Sequence, residues 1–296
     1  LDSADNISFA FFERGQHRHV AIQGCELAEE GINSTANFIL DWINQQKIPL
    51  RSLKSLIIRS NNENQTIAAL FIKDELNFSD YPQLSKNFLG FQVYFSNHRC
   101  PASRPEKLLY SDGQDFLIAD LRGVKLKFGL LSFFQINISI FSLALNDIAN
   151  FLDSSKSVVD FYSGVGAIGL SLLKYCKDMV LVDNNEEAIE YAKQNIDLNK
   201  LSNVSAELQP AEKITELIKN DKIIIFDPPR SGLHENVVNT VLSKLPEKII
   251  YLSCNISTHA RDIRLLSSKY KISYLKLYNF FPRTPHVESL CVLERI

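Results

Sequence analysis

Two side chains near the end of the sequence combine a reactive type with an informative place. Cys254 closes the apolar run Ile249–Leu252 and stands between Ser253 and Asn255. A cysteine is usually a small buried hydrophobe, but one at a strand end beside polar residues sits where a ligand sits. Glu288 opens the apolar run of residues 289–293, where a merely structural acid is disfavoured. By type, a thiol is a nucleophile and a carboxylate a proton acceptor. A third element is Asp227-Pro228-Pro229-Arg230-Ser231-Gly232. Two prolines after an acid make a rigid loop that cannot continue a β-ladder and can hold a polar group against a flat base.

Upstream, Asp160-Phe161-Tyr162-Ser163-Gly164-Val165-Gly166 ends a short apolar strand pattern. Its glycines let the backbone approach a ligand and turn into a helix near Ala167. Asp183 follows about twenty residues later, at the end of the next strand, and can accept hydrogen bonds from both hydroxyls of a ribose. The plainer readings are a tight turn for the glycines and a helix N-cap for Asp183. Gly169 keeps a dinucleotide fingerprint open, so these residues alone leave the cofactor undecided between NAD and S-adenosylmethionine.

The elements that must carry these residues are legible as patterns. Short buried strands alternate with helices from about residue 130: Ser157–Phe161, a helix to Cys176, Met179–Asp183, a helix Glu186–Asn199, Val204–Leu208, a helix around Glu212–Lys219, Lys222–Asp227, a helix Glu235–Leu245 and Lys248–Ser253. Such a βαβ series implies a parallel sheet covered on both faces, with ligands outside the C-terminal strand ends. Ile272–Asn279 and Ser289–Glu294 read as an antiparallel pair at the sheet edge. A helical period at Ser139–Leu152 precedes the series. Residues 1–130 read as a separate antiparallel α+β domain: β-rich runs at Ile7–Glu13, His19–Gly24, Leu56–Ser60, Thr66–Lys73 and Phe91–Ser96, one helix near Asn33–Gln46, a hairpin turn at Asn64-Gln65, and further strands over Leu108–Gly129 with turns at Asp112-Gly113 and Arg122-Gly123. The expected division is therefore 1–130 and 131–296.

The bulk numbers fit a soluble globular protein: 296 residues, 45% hydrophobic, 22% charged, with no apolar run long enough to span a membrane. LDSADNIS lacks the basic and apolar regions of a secretion signal. The net charge of −2 lacks the basic footprint of a nucleic-acid binder, so either the substrate is not nucleic acid or the basic residues are clustered. Two clusters qualify: Arg14, His17, Arg18 and His19, and then His98, Arg99, Arg104 and Lys107. Cys25, Cys100, Cys176, Cys254 and Cys291 are odd in number and widely spaced, which argues for a reducing compartment and against a disulfide framework. No CxxC pair occurs, so no metal site is expected.

Asp227-Pro-Pro-Arg-Ser-Gly, followed after residues 233–248 by Ile249-Ile250-Tyr251-Leu252-Ser253-Cys254-Asn255-Ile256-Ser257-Thr258, resembles the signature of the RNA uracil-5 methyltransferases. Phe281-Pro-Arg-Thr-Pro-His-Val-Glu288 is similar to that family's second signature, and Phe133-Phe134-Gln135-Ile136-Asn137 to its Phe-Gln-x-Asn segment. The resemblance runs from Phe133 to the end and more loosely over the N-terminal half, as the family's central RNA-facing domain. It implies a Rossmann-like class I methyltransferase domain behind an α+β antiparallel domain. It also implies S-adenosylmethionine as cofactor and a uridine of ribosomal or transfer RNA as substrate. By the same resemblance Cys254 is the nucleophile that adds to uracil C6, and Glu288 is the base that removes the C5 proton. Gln135, Tyr162, Gly164, Ala167, Asp183, Pro210 and Asp227 then line the cofactor and base pocket, and a flipped base is implied. A monomer in the cytoplasm without a membrane partner is expected.

Several positions depart from the pattern. Asn279 stands where Asp is usual, Arg283 where His, Gln or Tyr is usual, and Ser163 where Cys is frequent. Members often carry an upstream TRAM β-barrel and a four-iron cluster. Cys25 resembles the last cluster ligand, but the first three have no counterpart, so no cluster is expected in this chain. The alternative reading is another Rossmann-like methyltransferase acting on an amino group or a small molecule. Arg230 disfavours it, because amino-methylating enzymes place an aromatic residue after their similar Pro-Pro element.

Overall fold

The structure is a computed structural model that describes residues 2–296 except 4, 5, 14, 17, 100–102, 212 and 214. Arg14 and His17 of the first basic cluster, and Cys100, lie outside the described residues. The chain divides into two compact units, Leu1–Ala119 and Asp120–Ile296.

The first unit is built on four strands in sequential order: Leu53–Ser60, Thr66–Ile72, Phe88–Phe95 and Lys107–Gly113. The amphipathic helix Glu30–Gln45 buries Ile39, Trp42 and Ile43 against Ala68, Leu70, Phe91 and Val93. Asn64, with a left-handed φ of 58°, makes the turn between the first two strands, as its type allows. The sheet is not wholly antiparallel. Thr66–Ile72 and Phe88–Phe95 pair in parallel, because residues 73–87 form a crossover rather than a tight turn.

The division falls before the sequence boundary at residue 130, within the strand Phe116–Leu121. The strand after it, Val124–Gly129, is tied to the second unit. Asn195 and Asn199 of a helix in that unit accept hydrogen bonds from the N–H groups of Lys127 (2.6 Å) and Lys125 (2.9 Å).

In the second unit, helix α1 (Ile138–Ala149) precedes a seven-stranded sheet: β1 (Ser157–Phe161), β2 (Asp178–Asp183), β3 (Val204–Leu208), β4 (Ile223–Phe226), β5 (Lys248–Ser253), β6 (Tyr270–Tyr278) and β7 (Glu288–Arg295). Helices α2 (Ala167–Leu172), α3 (Glu186–Leu198), α4 (Glu235–Lys244) and α5 (Ile256–Leu266) connect them. The strand order is 3-2-1-4-5-7-6, parallel from β3 to β5 and antiparallel for β7 and β6. Fully apolar strands such as Ile223–Phe226 form the two-sided core of a parallel sheet. The expected antiparallel pair at the end of the chain does form the edge of the sheet, with β7 inserted beside β5 and β6 outermost. Two expectations change. Glu212–Lys219 holds a 3-10 turn at Thr215–Leu217, with 212 and 214 outside the described residues. Helix α5 lay unread between β5 and β6, although Asn255 caps it and Leu266 is buried on its inner face.

Candidate active site

The parallel strands deliver their C-terminal ends to one side of the sheet. Tyr162 follows β1 and has a left-handed φ of 63° without being glycine, the kind of backbone outlier that gathers at functional sites. Gly164 follows with φ 55°, and a β-carbon there would meet nothing within 4 Å, so the loop opens onto free space. Gly166 (φ 88°) then caps α2, whose first residue is Ala167. Asp183 at the end of β2 accepts from the Gly164 N–H through Oδ2 (2.8 Å) and from the Asn185 N–H through Oδ1 (2.9 Å). The helix cap of α3 is Asn185, not Asp183. Each carboxylate oxygen keeps a further lone pair for a ribose hydroxyl. The Ser163 hydroxyl is buried without a partner among the described residues, a polar group that a ligand could satisfy. Pro210 follows β3, and its carbonyl already accepts from the Lys213 N–H (2.9 Å).

β4 and β5 carry the second half of the site. Asp227 follows β4, and burial, with Glu288 and Asp160 adding to it, pushes its carboxyl well above the usual range. Cys254 follows β5. In the β5–β7 register Ser253 faces Ser289, so the next residues outward are Cys254 and Glu288. Antiparallel insertion of β7 therefore brings its first residue beside the residue that follows β5. Glu288 is 4% exposed, and burial pushes its carboxyl up to about 7, with Arg230 pulling it back. Burial, then the charges of Glu288 and Asp227, raises the Cys254 thiol, and the positive charge of Arg230 beside it favours its thiolate. Cys254, Arg230, Pro285, His286 and Val287 line a cavity of about 310 Å³.

Gln135 is buried just before α1. Its segment is held at both ends: Phe134 stacks on Phe128 at 4.2 Å, and the Asn137 amide donates to the Phe280 carbonyl (3.3 Å) in the loop leading to Glu288. The Asn137 side chain also caps α1 through the Ile140 N–H. The structure thus gathers Tyr162, Gly164, Ala167 and Asp183 at the ends of β1 and β2, with Pro210 at the end of β3. Asp227, Cys254 and Glu288 gather at the ends of β4, β5 and β7.

Sequence reading passed over Asp160. It lies in mid-strand at zero exposure, accepts from the Gly169 N–H (3.0 Å), and has one oxygen without a partner among the described residues. Burial pushes it up to about 8, so it is largely protonated at neutral pH and adds little charge to the cofactor end. Its signal was an acid inside an otherwise apolar strand. Arg230 was read only for the chemistry it disfavours, although it faces Cys254, Glu288 and His286, the last at 3.5 Å. Among the described residues no group of three metal-ligating side chains occurs, and no helix is long and apolar enough to cross a membrane.

These features recur in known proteins. A Mycoplasma mobile protein described as an uncharacterized RNA methyltransferase is 37% identical over 60% of this chain and 49% of its own length. A Clostridium tetani protein of the same description is 29% identical over 93% of this chain and 65% of its own length. The chain thus spans about half to two thirds of the first relatives it matches. The tRNA (uracil(54)-C(5))-methyltransferase of Pyrococcus abyssi is 29% identical over 96% of this chain and 70% of its own. The crystal structure of the Pyrococcus abyssi tRNA (uracil-54, C5)-methyltransferase in complex with S-adenosyl-L-homocysteine superposes with a TM-score of 0.82 at 25% identity, covering 95% of this chain and 72% of that one. The family model described as tRNA (uracil-5-)-methyltransferase matches residues 2–296, and the chain belongs to that family.

Proposed function

We propose that the protein transfers a methyl group from S-adenosylmethionine to C5 of a uridine in RNA. The observation that carries this reading is the meeting of Cys254 and Glu288 at the adjoining ends of β5 and β7, beside the Asp227–Gly232 loop. The family's description and the Pyrococcus abyssi relative favour transfer RNA over ribosomal RNA as the substrate.

The residues at the ends of β1 and β2 suit the cofactor. Asp183 offers its remaining lone pairs to the ribose, the open Gly164 loop admits the nucleoside closely, and Gln135, Ala167 and Pro210 complete the wall. When bound, S-adenosylmethionine supplies an electrophilic methyl group. Uracil C5 is a poor nucleophile on its own. Cys254 Sγ adds to C6 of a base turned out of its stack, and the electrons so displaced make C5 nucleophilic. Arg230 favours the thiolate that this addition needs. Once C5 is methylated, its proton must leave so that the C6–S bond can break. Glu288 accepts that proton, the double bond re-forms, and Sγ departs as thiolate. A carboxyl held near 7 suits the step, because it is a stronger base than an ordinary carboxylate and is still half ionised at neutral pH.

We further propose a cytoplasmic monomer. Cys25, Cys176, Cys254 and Cys291 are free thiols, which accords with a reducing compartment. The function is tested by mapping 5-methyluridine in transfer and ribosomal RNA from cells with and without the gene. Loss of the base at a defined tRNA position is the expected result. An unchanged map in both RNAs overturns the reading, and a loss confined to ribosomal RNA overturns the choice of tRNA.

A further inference from the structure

The loop Asp227–Leu233 has a backbone problem. Pro228 and Pro229 have no N–H, and the loop has left the sheet, so its remaining polar groups need partners elsewhere. Helix α5 provides them. The Asn255 amide donates to the Arg230 carbonyl at 2.9 Å, and the Thr258 hydroxyl reaches the same oxygen at 3.1 Å, shared with its own helix at Asn255 O (3.2 Å). Arg261 donates to the Ser231 carbonyl at 2.9 Å. Asp262, with no exposure, accepts from the Leu233 N–H at 2.8 Å and from the Tyr251 hydroxyl at 2.8 Å. Gly232 turns against that carboxylate with φ 79°, and a β-carbon there would stand 2.5 Å from Asp262 Oδ2. Positions 255, 258, 261 and 262 share one face of a helix by its 3.6-residue period.

We infer that this face of α5 is a positioning cradle: Asn255 and Thr258, by holding the Arg230 carbonyl, fix where the Arg230 guanidinium stands against Cys254. This rests on the proposed role of Cys254 as the reacting thiol, but its geometry does not depend on the substrate. Arg230 on this loop faces Cys254, Glu288 and His286, and a long side chain on an unheld loop would spend little time on the thiol. Two donors converging on one carbonyl anchor the backbone at the residue that bears the guanidinium. The following residues are anchored by Arg261 and Asp262, so the loop is held at successive points. Asn255 and Thr258 act through Arg230 and touch no reacting atom, so they are positioning residues.

The test needs neither RNA nor methyl transfer. The rate of iodoacetamide alkylation of Cys254 in the full chain is measured against pH, with the modified peptide resolved by mass spectrometry from the other cysteines. Thr258→Val removes the hydroxyl and keeps the side-chain volume, so the midpoint of alkylation moves up by about half a pH unit or more, part of the 1–3 units a close cation is worth. Thr258→Ser keeps the hydroxyl and restores the parental midpoint. Asn255→Ser keeps an oxygen to cap α5 but loses the amide donor, and moves the midpoint up as well. A midpoint unchanged in both Thr258→Val and Asn255→Ser overturns the inference. So does a midpoint raised equally by Thr258→Ser and Thr258→Val. Either failure leaves the methylation reading intact, because that reading stands or falls on the 5-methyluridine map.

Discussion

Replacing Glu288 by glutamine separates the charge of this residue from its shape. The ordinary value for a glutamate is 4.5, and burial lifts Glu288 to about 7. The folded protein therefore holds the proton more tightly than the unfolded chain does. Below about pH 4 both forms are protonated and the residue costs nothing. As pH rises from 4.5 to about 7 the unfolded chain ionises first, and stability falls. Above about 7 the cost is constant, at roughly 3 kcal/mol from about 1.4 kcal/mol per pH unit. Glu288→Gln removes that pH-dependent cost. Relative to its own value at pH 4, the variant gains up to about 3 kcal/mol over the parent by pH 8. Urea unfolding followed by far-UV circular dichroism between pH 4 and 8.5 reads the difference. Tryptophan fluorescence does not serve, since Trp42 is the only tryptophan and lies in the first unit. Parallel pH profiles for parent and variant refute the raised carboxyl. The same variant tests the mechanism. It keeps the shape and one oxygen but cannot take up the C5 proton, so it should methylate and then stall with RNA joined to Cys254. That adduct is a slower band on a denaturing gel, dependent on S-adenosylmethionine and absent when Cys254 is also alanine. Normal turnover, or a folded inactive variant without an adduct, refutes Glu288 as the base.

Cys254→Ala should bind S-adenosylmethionine with parental affinity and transfer no methyl group, as read by calorimetry and by tritium incorporation into undermodified RNA; substantial residual transfer excludes a covalent route. Asp183→Ala should weaken S-adenosylmethionine binding by about 1–3 kcal/mol, the range for leaving buried polar partners unpaired. Unchanged affinity in calorimetry would mean that Asp183 serves only the loop, through its bonds to Gly164 and Asn185.

The parallel half of the sheet was readable because its signals are local. β1, β4 and β5 are short apolar runs that lead into Ser-Gly, Asp-Pro and Ser-Cys, and helices α1 and α3 begin at the capping residues Asn137 and Asn185. Helix α5 was missed because its inner face is polar where it meets the Asp227–Leu233 loop. His259 and Asp262 are buried, which breaks the apolar stripe that marks a helix. The parallel pairing of Thr66–Ile72 with Phe88–Phe95 was missed for a different reason. Strand direction is set by the path of residues 73–87, and no residue type records that path. Asp160 was quoted as part of the glycine loop but not read as a buried acid, because exposure depends on which strands flank it, here β2 and β4.

The insertion of β7 also bears on the departures from the family pattern. An antiparallel strand presents its N-terminal end on the ligand side, so the loop before Glu288 comes there too, with Asn279 and Arg283 in it. Several bonds that shape this loop come from other residues. The Phe281 carbonyl accepts from the Thr284 hydroxyl (2.7 Å) and N–H (3.2 Å), the His286 N–H donates to the Thr284 hydroxyl (3.2 Å), and the Phe280 carbonyl is held by Asn137. Arg283 contributes a left-handed backbone (φ 63°) and an exposed side chain. Glu288 itself is fixed by its pairing with Tyr278 on β6 and by the β5–β7 register. The position of the proposed base is therefore tied to the strand registers of β5, β6 and β7, with Thr284 bracing the loop that leads to it.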